Sequence, residues 1–187
     1  MRHGNLFVIS GPSGAGKGTL VARLLREVPD SWVSISATTR SPREGEQDGV
    51  QYFFKSDEEF DTLIEEDGLL EWATYADHRY GTPKSAVVGH IAQGKQVVLE
   101  IDVQGAFQVK AKLPEAHLVF IEPPSIEVLE ARLRGRGTET DEVIASRMEA
   151  AQVELSRKME YDIRIVNDDL ETATRQLVDY VNEKAEE

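Results

Sequence analysis

Cysteine, long apolar runs and an excess of basic charge are all missing from this chain of 187 residues. Without thiols the chain forms no disulfide, no thiolate metal site and no cysteine nucleophile. No segment approaches the roughly twenty apolar residues of a membrane helix, and the N-terminal apolar run is too short for a signal peptide. We therefore expect a cytoplasmic protein without a membrane partner.

The charge balance disfavours polyanionic partners. The chain has 34 Asp plus Glu against 21 Lys plus Arg, a net charge of -13, which repels nucleic acid backbones at long range. A small phosphorylated substrate stays compatible with this charge, because a few arginines and Mg²⁺ outweigh the global field at short distance. The four histidines have no metal-ligating spacing.

Four short apolar runs lack the alternation of half-exposed strands, and this predicts strands buried on both faces. They are residues 6–10, 96–102, 117–123 and 163–167. Helical periodicity separates each run from the next, which is typical of an α/β fold with a central parallel sheet. The predicted helices cover residues 17–27, 125–133, 141–158 and 170–182, and Ser125 and Asp141 are the predicted N-caps.

Two segments interrupt this alternation. Residues 34–80 contain short β-branched and aromatic stretches around "REGEQDG", which indicates a β-rich insertion. The second segment, "RGRGTETD" at 134–141, lies between two predicted helices and indicates a mobile flap.

The stretch "GPSGAGK" has the spacing of a phosphate-binding loop, from Gly11 through Gly16 to Lys17, directly between a predicted strand and a predicted helix. Its glycines let backbone amides turn toward an oxyanion, the helix N-terminus adds a positive dipole end, and Lys17 supplies a cation for the β- and γ-phosphates. An incidental glycine-rich turn is disfavoured, because spacing, strand and helix agree. The general pattern has a Mg²⁺-binding hydroxyl at position 18; here the hydroxyl belongs to Thr19, and whether it reaches the metal stays open.

The run "TTRSPREGEQDGVQYFF" at 38–54 resembles the guanylate kinase family of nucleoside monophosphate kinases. "IEEDGLLEWATYADHRYGT", "LEIDVQG", "RLRGRGTET" and "IVNDD" follow in that family's order and extend the resemblance over nearly the whole chain. The resemblance implies a single P-loop three-layer α/β domain. Its parts would be a core at 1–33, 86–133 and 143–187, a β-rich GMP-binding region at 34–85 and a small lid at 134–142.

The resemblance also implies transfer of the γ-phosphoryl group of ATP to GMP, and to dGMP, with Mg²⁺ bound as Mg-ATP. The implied ATP-binding residues are Gly11, Pro12, Ser13, Gly14, Ala15, Gly16, Lys17, Gly18, Thr19 and Asn167. For Asn167, capping of the following helix is an equal alternative to an adenine contact.

For GMP, the resemblance assigns two groups of residues. Those for the phosphate are Arg40, Arg43, Tyr52 and Tyr80, and those for guanine are Ser36, Glu71, Thr82 and Asp102. A carboxylate at position 71 suits guanine, whose N1–H and N2–H₂ donors lie side by side on the pairing edge. Asp102 is also a candidate for the Mg²⁺ shell, together with Thr19. The family usually has Asp where this chain has Glu100, so the role of that position stays open.

The implied catalytic residues are Lys17, Arg132, Arg136 and Arg147, of which the arginines approach the phosphates when the lid closes. For Arg134, ion pairing with nearby glutamates competes with a role at the phosphates. At neutral pH the acceptor phosphate is mostly a dianion and needs no general base. A non-catalytic binding module with the same fold is the alternative, and Lys17 with the lid arginines argues against it. The oligomeric state is left open by the sequence.

Overall fold

The computed structural model describes residues 2–135, 137 and 140–187. The strands are β1 (Asn5–Ser10), β2 (Ser31–Val33), β3 (Ala37–Thr38), β4 (Phe53–Phe54), β5 (Leu69–Tyr75), β6 (His78–Pro83), β7 (Gln96–Glu100), β8 (His117–Glu122) and β9 (Ile163–Val166). The helices are α1 (Lys17–Glu27), α2 (Asp57–Glu65), α3 (Lys84–Ala92), α4 (Val103–Lys112), α5 (Ile126–Arg134), α6 (Asp141–Ser156) and α7 (Leu170–Glu186).

The central sheet has five parallel strands in the order β2-β7-β1-β8-β9. Phe7 and Ile9 of β1 pack with α1 and α7 on one face. Leu6 and Val8 point to the opposite face, where α3 and α4 cover them. Because both faces of β1 are buried, its sequence is continuously apolar. The predicted three-layer α/β fold is confirmed.

All four predicted central strands are present, within two residues of the expected bounds. The sequence analysis missed β2, which has only three residues, all partly exposed, and lies at the sheet edge. The four predicted helices are also present. The predicted N-cap Ser125 is confirmed, but Asp141 is the first residue of α6 and the cap is Thr140, whose hydroxyl accepts from the Val143 amide at 3.4 Å.

The predicted β-rich segment forms a second sheet with the order β4-β3-β6-β5. It packs on α2 through Ala37, Phe60 and Leu69. The hairpin of β5 and β6 turns at Ala76 and Asp77, which both have positive φ angles, 48° and 64°. The division of the chain into core, GMP-binding region and lid stays a prediction.

A charge cluster ties this second sheet to the core. Asp67, which precedes β5, accepts hydrogen bonds from Lys112 of α4 at 2.5 Å and from Lys84 of α3 at 2.8 Å. Lys112 also donates to the Leu69 carbonyl at 2.7 Å. The two ammonium groups lower the pKa of Asp67 to about 2, and the hydrogen bond from Lys112 has the larger effect. The entry to β5 is thereby fixed against two core helices.

The predicted lid connects α5 to α6. Arg134 ion-pairs with Glu130 and with Asp141, so the competing ion-pair interpretation of Arg134 is confirmed. Arg136, predicted to be catalytic, lies outside the described residues. Among the residues that the structure describes, no helix is long and apolar enough to cross a membrane.

Candidate active site

The glycine-rich loop joins β1 to α1 at the carboxyl edge of the parallel sheet, where α/β folds bind ligands. Gly11 has φ 140°, and an added Cβ would lie 2.2 Å from the Ile121 carbonyl oxygen. Gly16 has φ 93°, and a Cβ there would lie 2.3 Å from Asn167 Nδ2. Only glycine fits at these two positions, so the ends of β8 and β9 determine the shape of the loop.

Lys17 opens α1 and extends back over the loop. Its Nζ donates to the carbonyl oxygens of Gly11 at 2.5 Å and Pro12 at 3.1 Å. These two hydrogen bonds hold the ammonium group at the loop. The role of Lys17 as the cation of a phosphate site stays a prediction.

Asn167 follows β9 and is buried against the loop. Its Nδ2 donates to the Ala15 carbonyl at 2.8 Å. The N-cap of α7 is Asp169, whose carboxylate accepts from the Thr172 amide at 2.8 Å. The capping alternative for Asn167 was therefore wrong, and its adenine contact stays a prediction. Its hydrogen bond to the loop was not anticipated.

Two of the predicted catalytic arginines reach the loop region from different helices. Arg132 of α5 donates to the Asn167 carbonyl at 3.0 Å. Arg147 of α6 donates to Ser13 Oγ at 2.7 Å. The two guanidinium groups thus come from the helix before the predicted lid and from the helix after it, and both contact residues at or beside the loop.

Candidate metal ligands lie beside the start of α1. Thr19 is exposed, and a Cβ on Gly18 would lie 3.7 Å from both carboxylate oxygens of Glu100. Asp102 is not the last residue of β7, which ends at Glu100; it is the N-cap of α4 and accepts from the Gly105 amide at 2.7 Å. In the described part of the chain no group of three or more His, Cys, Asp or Glu side chains could hold a metal ion.

A cavity of about 270 Å³ lies between the second sheet and the carboxyl edge of β7. Four of the predicted residues line it, namely Ser36, Glu71, Tyr80 and Asp102. Glu71 is only 9% exposed, and Thr82 Oγ1 donates to its Oε1 at 2.7 Å. Burial raises the pKa of the Glu71 carboxyl and the charge of Asp102 adds to this, although hydrogen bonds from Thr82 oppose the shift. A ligand with hydrogen-bond donors at this position would stabilise the carboxylate.

The predicted acceptor-phosphate residues gather at the other end of Tyr80. The rings of Tyr52 and Tyr80 have centroids 6.0 Å apart, and the Arg40 guanidinium lies 5.3 Å from the Tyr52 centroid. The Glu46 carboxylate forms an ion pair with the Arg40 guanidinium at 2.9 Å. It also accepts a hydrogen bond from the Arg43 backbone amide at 2.8 Å. The Arg43 side chain is exposed. An incoming phosphate would therefore compete with Glu46 for the Arg40 guanidinium.

Four further cavity residues were missed by the sequence analysis. They are Ala73, Tyr75, Gly81 and Ile101. Strand alternation from Glu71 would have identified the residues at positions 73 and 75, because every second side chain of a strand points to the same face. The contribution of Ile101 depends on how β7 meets the second sheet, and no local pattern reveals this.

Comparisons with known proteins show the family of this chain. The family model described as guanylate kinase matches residues 3–184. A guanylate kinase of Synechocystis sp. is 55% identical over 181 residues, 97% of this chain and 95% of that protein. One from Synechococcus sp. (strain CC9311) is 54% identical over 175 residues, 94% of this chain and 92% of that protein.

Solved structures support the same assignment. The crystal structure of guanylate kinase from Anaplasma phagocytophilum matches with a TM-score of 0.76 and 29% identity, covering 100% of this chain and 89% of that one. A shikimate kinase structure from Bacteroides thetaiotaomicron, at 16% identity and a TM-score of 0.53, shares the fold alone. From the loop, the cavity and these matches together, the chain belongs to the guanylate kinase family.

Proposed function

We propose that the residues of this site carry out the guanylate kinase reaction, in which the γ-phosphoryl group of ATP passes to the phosphate of GMP, giving ADP and GDP. The reaction class follows from family membership and from relatives more than 50% identical over most of the chain. The observation that supports the residue assignment is the placement of two features at the carboxyl edge of neighbouring strands of the sheet. The glycine-rich loop follows β1, and the cavity with the buried carboxylate of Glu71 is lined partly by residues that follow β7.

ATP is assigned to the loop at 11–19. Backbone amides and the N-terminus of α1 face the phosphates, and Lys17 neutralises charge on the β- and γ-groups. Asn167 supports the loop through the Ala15 carbonyl, and we assign it the adenine contact as well. Arg132 and Arg147, already at the loop, complete the positive environment of the transferred group.

GMP is assigned to the second sheet. Glu71 accepts from guanine N1–H and N2–H₂, and Ser36, Thr82 and Asp102 complete the polar end of the cavity. Arg40, Arg43, Tyr52 and Tyr80 hold the acceptor phosphate. Because the assigned contacts are to the base and to the phosphate, and none is to the ribose 2′-hydroxyl, we expect dGMP to be accepted as well.

Catalysis then depends on alignment and charge neutralisation. The acceptor phosphate is mostly a dianion at neutral pH, so no base is required. The loop and the second sheet hold donor and acceptor at the same edge of the central sheet, which converts a bimolecular encounter into a positioned transfer. Closure of the predicted lid at 134–142 would exclude water and suppress ATP hydrolysis.

The oxygen ligands near the loop fit Mg²⁺. Mg²⁺ usually keeps several waters and binds through one or two carboxylates plus substrate phosphates, so it requires no larger protein cluster. The Glu100 carboxylate lies beside position 18, the position at which the general pattern has a hydroxyl. Thr19, Glu100 and Asp102 are the proposed protein ligands, directly or through water. When bound, the metal would neutralise negative charge on the transferred group.

An acceptor panel tests the proposed substrate assignment. We expect rapid ADP formation from Mg-ATP with GMP and dGMP, and turnover lower by at least about 10²-fold with AMP, UMP or CMP, because none of these bases presents the two adjacent donors that the carboxylate accepts from guanine together. The measurement is the initial rate of ADP release at matched acceptor concentrations. Equal turnover with AMP would contradict the role of Glu71, and absence of turnover with GMP would favour a non-catalytic binding module.

A pair of glycine substitutions tests the loop geometry. Gly16→Ala should lower the free energy of unfolding by roughly 1–3 kcal/mol and weaken Mg-ATP binding, because alanine is strained at φ 93° and displaces the Asn167 amide. Gly18→Ala is the matched control: its Cβ has ordinary contact distances, and alanine should stabilise α1 by about 0.5–1 kcal/mol. Chemical denaturation and an ATP titration measure both effects. Equal stability of the two variants would contradict the proposed packing of the loop.

A further inference from the structure

Tyr75 has no role in the assignments above, yet it lines the cavity that contains Glu71. Its side chain is 75% exposed, the highest value among the large apolar side chains that the structure describes. Such an exposed ring at a cavity mouth has much apolar surface that a ligand can cover. Tyr75 therefore calls for a functional explanation.

Strand alternation places Tyr75 in a row with Glu71 and Ala73. These three residues of β5 line the same cavity, and Ile101 lies across from them. The strand rise separates the first and last backbone positions of this row by about 13 Å. A base whose pairing edge meets Glu71 therefore extends over Ala73, whose small side chain leaves room for it, and reaches the ring of Tyr75.

The hairpin fixes the position of this ring. Tyr75 pairs with His78 at the last register position of β5 and β6, and the turn between them consists of Ala76 and Asp77 alone. Both turn residues have positive φ angles, as a two-residue type I′ hairpin turn requires, although neither is glycine. A longer, looser turn would let the strand end fray, whereas this turn holds Tyr75 at the cavity.

We propose that Tyr75 is a substrate-binding residue. Its ring stacks on the face of the acceptor purine, toward the end of the base that lies away from the pairing edge. The proposal rests on the assignment of GMP to this cavity. Glu71 selects the base through hydrogen bonds, whereas Tyr75 contributes affinity through its ring, and aromatic stacking tolerates any base because every base has a π-face. Stacking uses the face of the ring and no hydrogen bond from the hydroxyl group, so the hydroxyl group of Tyr75 is dispensable.

Direct binding of GMP to the full chain tests this. Tyr75→Ala should raise the Kd for GMP roughly tenfold, whereas Tyr75→Phe should stay within about twofold of the wild type. The Kd for ATP should not change. His78→Ala is the matched control, because it removes the cross-strand neighbour of Tyr75 without removing a cavity residue. A GMP affinity unchanged in Tyr75→Ala, or weakened equally in His78→Ala, would overturn the proposal.

Inosine monophosphate, which lacks the 2-amino group of GMP, separates stacking from base reading. Tyr75→Ala should weaken both nucleotides by the same factor, whereas Glu71→Gln should change the ratio of their affinities. A changed ratio in Tyr75→Ala would place the ring at the pairing edge and overturn the proposal. If the wild type fails to bind GMP, or if Glu71→Gln binds it normally, the cavity assignment itself fails; if both behave as expected, a normal Tyr75→Ala variant refutes only the stacking role.

Discussion

Lys17→Ala is expected to lower kcat for GDP formation by about 10³-fold or more, because a preorganised cation at the transferred phosphoryl group is removed. Hydrogen bonds to the Gly11 and Pro12 carbonyls hold the ammonium group at the loop. The fold should remain intact, since the lysine contributes no side chain to the buried core clusters. Steady-state rates of ADP release and chemical denaturation measure the two effects.

Lys184→Ala provides the control for loss of a positive charge. Lys184 lies near the end of α7, where it pairs with Glu183 and Glu187, far along the helix from the loop. Its variant should keep wild-type kinetics. Substantial activity in Lys17→Ala, or an equal loss in Lys184→Ala, would contradict the assignment of the loop as the ATP site.

Glu71→Gln is expected to lower kcat/KM for GMP by roughly 10²-fold or more, because the glutamine NH₂ group faces the guanine donors in place of an acceptor oxygen. Turnover with AMP should fall much less, so the selectivity for GMP decreases. The apoprotein should be as stable as the wild type or more stable, since the raised pKa of Glu71 shows that burial disfavours its charged form. Loss of activity with unchanged or increased stability identifies a residue retained for binding.

Acceptor kinetics and equilibrium denaturation measure these two expectations. Glu66→Gln, an exposed change just after α2, is the control for removal of a negative charge. A Glu71→Gln variant that keeps wild-type discrimination between GMP and AMP would show that another residue reads the base. A strongly destabilised variant would instead indicate a structural role for the carboxylate.

The sequence alone predicted those features whose physical basis is local. The glycine and lysine spacing of the loop at 11–17, the strand before it and the helix after it all lie within one short segment. The central strands are continuous apolar runs. Helices α2 and α3 were not predicted, because α2 has a single buried residue and α3 carries valines and Gly89 without a clear stripe. Helix α4 was expected only as a helical pattern between two strands, without bounds. The capping box of Ser56 and Glu59 was a usable signal for α2.

The cavity is different, because its residues come from separate parts of the chain. Ser36, Glu71 and Asp102 belong to the segment before β3, to β5 and to the N-cap of α4. Their assignment came from resemblance to a family and not from spacing. The hydrogen bond of Asn167 to the loop and the position of Tyr75 arise only when the strands are assembled, so no window of sequence contains them.

The pairing of β1 has a consequence for folding of the chain during its synthesis on the ribosome. Both neighbours of this N-terminal strand, β7 and β8, are made much later, on the order of ten seconds after it at typical rates of synthesis. During that interval a largely apolar strand has no partner on either edge and is exposed to aggregation or to capture by chaperones. The walls of the loop are Ile121 of β8 and Asn167, and Asn167 is made later still. Nucleotide can therefore stabilise only a nearly finished chain, and it cannot rescue the nascent one.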